Sequence, residues 1–477
     1  MDYQTFPQKL KALRKQNHLS QSQFGEQVGV SNRAVSKWEN GESMPSTEKL
    51  LRIATLFSVP LNALLSEDVS PQVHTAVEGM PSLKELYRIG SGPSSSHTMA
   101  PQRAAEYFRI KYPDADRFEA ELFGSLAKMG KVYHLDSLIR ETFAPKKAVI
   151  SLRVGEDSLP HPGTMRFCAY SGKNLLGKIE AYSTGGGSFR IKGEELSQNE
   201  SVYPEHSYTE IASYCEQKRI RLWQYAEEKE GSQLWDYLSE VWKAMVESIE
   251  SGLSEEGVLE GGLGVQRKAK FLYSQSHIDE SAETRENRLV CAYAFAVSEQ
   301  NASFGKVVTA PTCGAAGVLP AVLRYAKEKR GFSDREILQS LATAGIVGNL
   351  IKTNASVIGA ECGCQAEIGS ACAMAAAALG ELYGMSLNQI EYAAEIAIEH
   401  HLGLTCDPIK GLVQIPCIER NAVAAMRAIN AVNLANFLSD TRKISFDLVV
   451  KTMYETGRDL SRVYKETSEG GLAKLYL

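Results

Sequence analysis

The chain has 477 residues, of which 44% are hydrophobic and 23% are charged. This length allows two or three domains, and the near-average composition excludes a largely disordered chain, a collagen-like repeat and a small disulfide scaffold. The net charge of -5 also excludes a chain that is basic throughout and coats nucleic acid.

The nine cysteines are an odd number, irregularly placed in a long chain with no signal-peptide pattern. Such a set does not predict disulfides, and we therefore expect a soluble protein of the reducing cytoplasm. No apolar run approaches the roughly 20 residues that cross a bilayer, so no membrane partner is expected. Five cysteines share one region rich in glycine and alanine, which favours a metal or redox site. They are Cys362, Cys364, Cys372, Cys406 and Cys417.

Residues 1–68 are predicted to form an all-α domain of five short helices. Ser20 is a helix N-cap with Gln23 three residues later, and Gly29 ends that helix before Ser31 caps the next one. Two helices joined by a tight turn are the geometry that places a second helix in the major groove of DNA. The segment resembles the helix-turn-helix of the Cro and phage-repressor class.

This resemblance implies double-stranded DNA as a partner and a homodimer as the working form. Side chains expected to project from the recognition helix are Asn32, Arg33, Ser36 and Lys37, and Gln21 is expected to reach a phosphate. The alternative is a docking or dimerisation module of the same fold. Residues 1–70 carry eight Lys and Arg against seven Asp and Glu, so tight binding needs a dimer with a locally basic face.

Residues 69–81 read as a polar linker bounded by prolines, and residues 82–205 as a small α+β domain. One helix and three strands are predicted in it by their periodicity. They are the helix 101–112 and the strands 148–154, 165–170 and 178–183.

Residues 206–233 are predicted to be a connecting segment with a charged helical stretch over 208–231, and residues 234–477 a large, mainly α-helical catalytic domain. Its clearest helices are 373–383, 387–400 and 422–437. The predicted fold is therefore multidomain, with an all-α domain, an α+β domain and a helical domain.

Three short segments carry groups suited to binding an anion or to exchanging a proton. The run Gly90-Ser-Gly-Pro-Ser-Ser-Ser-His-Thr precedes a helix and offers hydroxyls, N–H groups and one imidazole. Serines also cluster at ordinary N-caps, but three serines with a histidine exceed what a cap needs. His161 is held between two prolines, although a lone loop histidine is as often simply solvated. Gly185 to Gly187 predict an anion-binding nest or a flexible hairpin.

Cys406 and Cys417 lie in loops beside proline or aspartate, at the edges of predicted helices. Cysteine next to proline is typical of iron–sulfur ligands. A small core residue is the alternative for any single cysteine. Zinc is the competing metal, but the chain has no Cys-x-x-Cys pair that indicates a zinc ribbon.

Together these segments resemble the iron–sulfur-dependent L-serine dehydratases (L-serine ammonia-lyases) over residues 82–473. The motifs of the first part are Gly92-Pro-Ser-Ser-Ser-His-Thr, Phe123-Gly-Ser-Leu, His161-Pro-Gly-Thr-Met and Ser183-Thr-Gly-Gly-Gly. The motifs of the helical part are Thr309-Ala-Pro-Thr-Cys-Gly, Asn354-Ala-Ser-Val, Gly363-Cys-Gln-Ala-Glu, Leu404-Thr-Cys-Asp-Pro and Pro416-Cys-Ile-Glu-Arg-Asn.

The resemblance implies a [4Fe-4S] cluster on Cys364, Cys406 and Cys417 that leaves one iron open for L-serine, which is converted to pyruvate and ammonia. His97 or His161 is then the base that removes the α proton, with His97 preferred because its loop also seats the substrate. The expected substrate contacts are Ser95, Ser96, Thr98, Gly185, Gly186, Gly187, Thr312 and Asn354. Cys313 and Cys362 depart from the family pattern, and each is either a competitor for iron or only a neighbour of the ligands.

Two other functions fit parts of this pattern. The first is a transcription regulator whose lyase domain senses serine or an iron–sulfur cluster, although all three expected ligands and the histidine loop are present. The second is a pyridoxal-phosphate dehydratase, for which the sequence shows no lysine in a convincing Schiff-base setting.

Overall fold

The computed structural model describes residues 6–17, 19–57, 79–155, 161, 163–193, 201–275, 280–438, 441–467 and 469–476. The chain divides into two compact units, Met1–Val77 and Glu78–Leu477. The two predicted catalytic segments thus lie inside one unit.

The first unit has four described helices: α1 (Phe6–Gln16), α2 (Gln21–Val28), α3 (Asn32–Glu39) and α4 (Thr47–Leu56). The predicted caps are confirmed, because Ser20 and Gln23 form a capping box, Gly29 has φ 74° and Ser31 accepts from Ala34 N–H. Phe24, Val35 and other apolar side chains form a small separate core. The fifth predicted helix would fall on residues outside the described part.

A buried ion pair fixes α1 against α3. Arg14 Nε donates to Glu39 Oε1 at 2.6 Å and Arg14 Nη2 donates to Glu39 Oε2 at 3.0 Å. Gln21 Nε2 also donates to Glu39 Oε2, at 2.9 Å. The amide of Gln21 therefore has a structural role inside the unit, and its contact with a phosphate stays a prediction.

The second unit begins with the strands. They are β1 (Ile89–Ser91), β2 (Arg117–Phe123), β3 (Lys147–Arg153), β4 (Thr164–Ser171), β5 (Asn174–Gly185), β6 (Ser188–Ile191) and β7 (Lys306–Val308). Five of them form one sheet in the order β3-β2-β4-β5-β6, with β2 and β3 parallel and the other pairs antiparallel. The three predicted strands are confirmed as β3, β4 and β5.

One face of this sheet packs on the helices α5 (Ala100–Lys111) and α7 (Leu135–Phe143), with α6 (Gly124–Met129) at its edge. Alternate residues of a strand point to one face, so Phe118 from β2 and Phe167 from β4 meet Phe108 and Phe143 in this core. The helix predicted over 101–112 is confirmed as α5.

The segment before the sheet packs into the helical part of the unit. β1 pairs antiparallel with β7, and Met80 forms a bridge with Tyr203. Met80 and Leu83 are fully buried in the large helical core. The end of the predicted linker therefore belongs to the second unit, whereas residues 69–78 lie outside the described part.

The remaining helices surround one large apolar core. They are α8 (Tyr208–Lys218), α9 (Leu222–Glu230), α10 (Gln233–Ser254), α11 (Ala269–Ser274), α12 (Ala282–Ala302), α13 (Val318–Arg330), α14 (Asp334–Asn354), α15 (Gly359–Cys362), α16 (Ser370–Leu382), α17 (Leu387–Glu399), α18 (Cys417–Leu438), α19 (Phe446–Asp459) and α20 (Gly471–Leu475). The single helical stretch predicted over 208–231 is two helices, because Arg219 adopts φ 57° at the end of α8.

The alanine-rich helix α16 lies at the centre, and it is buried from Ser370 to Glu381. Its small side chains let the neighbouring helices α14, α17 and α18 pack closely around it. All nine cysteines are free thiols. Among the described residues, none of the helices has the length and hydrophobicity needed to cross a membrane.

Candidate active site

A narrow cavity of about 30 Å³ in the second unit collects polar segments that are far apart in the sequence. Its walls are formed by some of the residues in each of the segments 93–96, 185–186, 312–314, 357–367 and 406–417, together with Glu466. Eight of the predicted site residues line it. They are Ser95, Ser96, Gly185, Gly186, Thr312, Cys364, Cys406 and Cys417.

Three buried thiols occupy one side of this cavity. The donor atoms of Cys364, Glu367 and Cys406 lie within 4.8 Å of one another, and Cys417 begins α18 on the same cavity. Cys364 immediately precedes a π-helical turn over Gln365–Gly369. Cys406 is held by backbone hydrogen bonds with the chain near Lys465.

Cys406 and Cys417 strongly favour the protonated thiol in this setting. A hydrogen bond with Cys364, and then burial, raise the pKa of Cys406, while burial and the charge of Cys364 raise the pKa of Cys417. Neutral thiols pack easily here, but three thiolates need a compensating cation. A bound metal supplies that charge, and its binding releases the thiol protons.

Two carboxyl groups that were not predicted share the cavity. Thr312 Oγ1 donates to Glu367 Oε1 at 2.7 Å. Glu466 has φ 59°, and its N–H donates to Cys406 O at 2.7 Å. Burial raises the pKa of Glu367, and burial with the charge of Glu367 raises the pKa of Glu466 to about 8.

The sequence contained a signal for one of these carboxyls. Glu367 lies three residues after Cys364, and residues at that spacing on a helical turn lie on the same face. Glu466 had no comparable signal, because only the return of the C-terminal chain past Cys406 brings it to the site.

Gly359 is required by the close packing of the thiol side of the cavity. A Cβ atom there would lie 2.8 Å from Glu367 Oε2 and 3.0 Å from Cys406 Sγ. Both distances are shorter than ordinary contacts, so any larger residue displaces a candidate ligand.

The serine-rich loop supplies a polar wall of the cavity through Ser94, Ser95 and Ser96. Ser94 caps a π-helical turn over Ser95–Met99 and accepts from His97 N–H at 3.2 Å. His97 Nδ1 lies 3.1 Å from Ser94 Oγ and 2.9 Å from Ser96 Oγ. Burial lowers the pKa of His97 to about 4, so the ring is neutral at pH 7. His97 itself lies behind Ser96, outside the cavity lining.

The glycine triplet is a fixed turn between β5 and β6, with positive φ at all three residues. Arg88 Nη1 donates to Gly186 O at 2.6 Å, and Arg103 Nη1 donates to Gly187 O at 2.9 Å. With the carbonyls engaged by arginines, the turn is not a flexible hairpin. Gly185 and Gly186 line the cavity, whereas Gly187 faces Arg103.

Three other predicted residues lie outside the cavity lining. His161 Nδ1 accepts from Gly163 N–H at 3.0 Å. Thr98 Oγ1 donates to the carbonyl oxygens of Ser91 and Ser94, so it closes the serine turn. Asn354 is exposed at the end of α14, and its Nδ2 donates to a backbone carbonyl on a neighbouring segment. Their predicted direct contacts with substrate are therefore not supported by their positions.

The two additional cysteines near the expected ligands are also outside this lining. Cys313 Sγ lies 3.8 Å from Met99 Sδ in the core. Cys362 packs against Gly457 of α19 so closely that a Cβ there would lie 2.6 Å from Cys362 Sγ. Both thiols are packing residues in this structure.

In the first unit, α3 presents a polar face. Asn32, Arg33 and Lys37 are exposed and Ser36 is half-buried, while Val35 and Trp38 point into the core.

Three family models match the chain. The model described as "Serine dehydratase beta chain" matches residues 82–142, and the model described as "Serine dehydratase alpha chain" matches residues 180–473. The model described as "Helix-turn-helix" matches residues 10–64.

Curated bacterial proteins are similar over most of their length. "L-serine dehydratase 2" of Escherichia coli is 37% identical over 449 residues, which cover 83% of this chain and 98% of that protein. "L-serine dehydratase" of Mycobacterium bovis is 38% identical, covering 82% of this chain and 97% of that protein. "L-serine dehydratase" of Streptomyces coelicolor is 36% identical, with 82% and 98% covered.

Proposed function

Because the chain belongs to the L-serine dehydratase family, we propose that it is an iron–sulfur L-serine ammonia-lyase that converts L-serine to pyruvate and ammonia. The observation that carries the proposal is one cavity shared by three buried thiols and a serine-rich loop. In that loop, His97 contacts the lining residue Ser96. The thiols suit a cofactor and the loop suits the substrate.

The donor set fits a [4Fe-4S] cluster on Cys364, Cys406 and Cys417. Such clusters are held by cysteine thiolates, and three ligands leave one of four irons without a protein ligand. When bound, the cluster supplies a Lewis-acidic iron that polarises the hydroxyl leaving group of the substrate. Because Gly359 has no side chain, it leaves free the space beside Cys406 that bound metal and its ligands require.

The serine loop and the glycine turn hold the substrate carboxylate in this proposal. Ser95 and Ser96 lie in the first turn of a π-helical segment, where backbone N–H groups lack helical partners. Gly185 and Gly186 add N–H groups of a turn with positive φ, a geometry that binds anions. Arg88 and Arg103 fix that turn before substrate arrives, so little ordering is needed on binding.

His97 accepts the α proton through Ser96. The ring is neutral at pH 7 and is in hydrogen-bond contact with the hydroxyl of Ser96, a residue that lines the cavity. Loss of the proton and of the hydroxyl as water gives aminoacrylate, which water hydrolyses to pyruvate and ammonia. His161 is not adopted as the base, because its Nδ1 is taken by Gly163 N–H.

The test is anaerobic iron and sulfide analysis with serine turnover on the same samples. We expect Cys364→Ala, Cys406→Ala and Cys417→Ala each to lose cluster iron and pyruvate formation. Cys168→Ala, on the half-buried thiol of β4, is the matched control and should retain both. A full cluster in all three variants would overturn the site. An aldimine absorption band that is stable in air would instead support the pyridoxal-phosphate alternative.

The polar face of α3 supports a second function for the first unit, which is binding of double-stranded DNA by a homodimer. Arg33 and Lys37 are exposed on the helix that would enter the major groove. A transcription regulator that senses serine through its lyase part differs from an enzyme in one measurement. It would bind DNA in a serine-dependent manner without forming pyruvate.

A further inference from the structure

A second, larger cavity of the catalytic unit has a volume of about 360 Å³. This size is typical of small-molecule sites, which begin at about 300 Å³. Its walls are Pro93, residues 131–134, Glu260, Gly261, Ala302, Phe304, Lys410 and residues 412–414. Nothing in the reaction described above uses it.

Residues with a strained backbone conformation are concentrated around this cavity. Of the five described non-glycine residues with positive φ, three line it: His134 at 51°, Phe304 at 61° and Lys410 at 54°. Residues other than glycine rarely adopt a positive φ, and those that do cluster at functional sites. The rings of His134 and Phe304 contact each other edge to face, with centroids 4.9 Å apart.

The polar groups of the cavity suit an amino acid. Lys131 and Lys410 are exposed cations, and Glu260 supplies a carboxylate beside His134, with 3.9 Å between His134 Nε2 and Glu260 Oε2. Gln414 is 3% exposed, and its Oε1 has no hydrogen-bond partner among the described residues. Two cations and a carboxylate at one cavity are complementary to a zwitterion.

This cavity and the cysteine cavity are separated by a single layer of residues. Pro93 and Val413 line both of them. Tyr133 of the larger cavity donates its hydroxyl to Gly411 O, and Gly411 lines the smaller cavity. The smaller cavity has about 30 Å³ of space, enough for one or two waters, so its walls have to move apart to hold a substrate.

We propose that the larger cavity is the antechamber through which the amino-acid substrate reaches the cysteine cavity, with Lys131 and Lys410 attracting its carboxylate. This inference rests on the proposed function for the identity of the substrate. The strained turn at Lys410 and Gly411 is the part of the shared wall that moves to admit it.

Blocking the antechamber tests the route. Val132 lines the cavity and is 37% exposed, so a tryptophan fits at this position without disturbing the core. We expect Val132→Trp to lower kcat/KM for serine about tenfold, because access limits capture of substrate. Val154→Trp is the control, since Val154 is 66% exposed and lines neither cavity.

Charge removal tests the attraction without adding volume. The double variant Lys131→Gln/Lys410→Gln should lower kcat/KM by about threefold to tenfold and weaken its dependence on ionic strength. Lys443→Gln, at an exposed lysine outside both cavities, should behave as wild type. An unchanged kcat/KM in the double variant would refute the role of the two lysines.

Alkylation of the cavity thiols makes the route testable without turnover. In the cluster-free full chain, Cys406 and Cys417 are treated with iodoacetate, which carries a carboxylate, and with neutral iodoacetamide, and modified peptides are quantified. Val132→Trp should slow both reagents, and the lysine variant should slow iodoacetate selectively. If Val132→Trp matches Val154→Trp in turnover and alkylation, the antechamber is wrong. If alkylation changes as expected but wild type forms no pyruvate, the proposed function fails and the route stands.

Discussion

Ser96 Oγ lies 2.9 Å from Nδ1 of His97, and Ser96 lines the cysteine cavity whereas His97 does not. His97 is therefore connected to the cysteine cavity by its hydrogen bond with the hydroxyl of Ser96. Burial lowers the pKa of His97 to about 4, which keeps its nitrogen able to accept a proton throughout the neutral range. This pairing gives the serine-rich loop a chemical role beyond capping a turn.

The pair predicts a clear difference between the two histidines. His97→Asn should lower kcat by about 10²- to 10⁴-fold, the usual contribution of a general base. Ser96→Ala should show a similar loss, whereas His161→Asn should leave most of kcat. Steady-state pyruvate formation measures each variant, and iron content is measured on the same samples. A wild-type kcat in His97→Asn would show that His97 is not the base.

Gly359 gives a prediction about cluster binding. A methyl group there meets Glu367 Oε2 and Cys406 Sγ at 2.8 and 3.0 Å, so Gly359→Ala should displace a ligand and lower the iron content of the anaerobically purified protein. Ala360→Ser changes an exposed neighbour and should retain iron. Equal iron content in both variants would show that a methyl group fits at position 359 without displacing a ligand.

Buried His401 predicts that the catalytic unit loses stability in mild acid. Its Nδ1 lies 2.6 Å from Ala397 O, and burial lowers its pKa to about 4. The unfolded chain takes up a proton near pH 6.5 and the folded chain does not. The stabilisation is therefore complete above pH 6.5 and is lost as the pH falls from there to about 4.

Urea unfolding at pH 7 and pH 5 measures this effect. His401→Gln should reduce the difference in unfolding free energy between the two pH values by ~2 kcal/mol, the scale set by a shift of one to two pKa units. His400→Gln, at the exposed neighbour, is the control and should keep the wild-type pH dependence. An identical pH dependence in His401→Gln would assign the acid sensitivity to other groups.

The sequence predicted the local parts of this structure well, because they depend on nearby residues. Ser20 with Gln23 forms its capping box, and the alternating runs became β3, β4 and β5. The loops that line the cysteine cavity were also identifiable, since serines, glycines and cysteines in irregular segments have few structural uses.

What the sequence did not predict depends on contacts between distant segments. Glu466 reaches the site only because the C-terminal chain pairs beside Cys406. Asn354 was expected at the substrate, but α14 continues through it and turns it toward a backbone carbonyl outside the cavity. The antechamber likewise arises where residues 131–134, 260–261 and 410–414 meet, and no single segment carries a signal for it.

The face of α3 yields the last prediction. Arg33 and Lys37 are exposed on the helix, and the recognition helix of this class enters the major groove. If the first unit binds DNA, Arg33→Ala and Lys37→Ala should each weaken binding, and removal of a phosphate contact should reduce the slope of log K against log salt by about 1. Fluorescence anisotropy with duplex DNA from the region around the protein's own coding sequence measures both quantities.

Lys15→Ala, on an exposed residue of α1, is the matched control, because it removes the same charge outside α3. Equal weakening by all three variants would indicate a non-specific charge effect and exclude α3 as the reading helix.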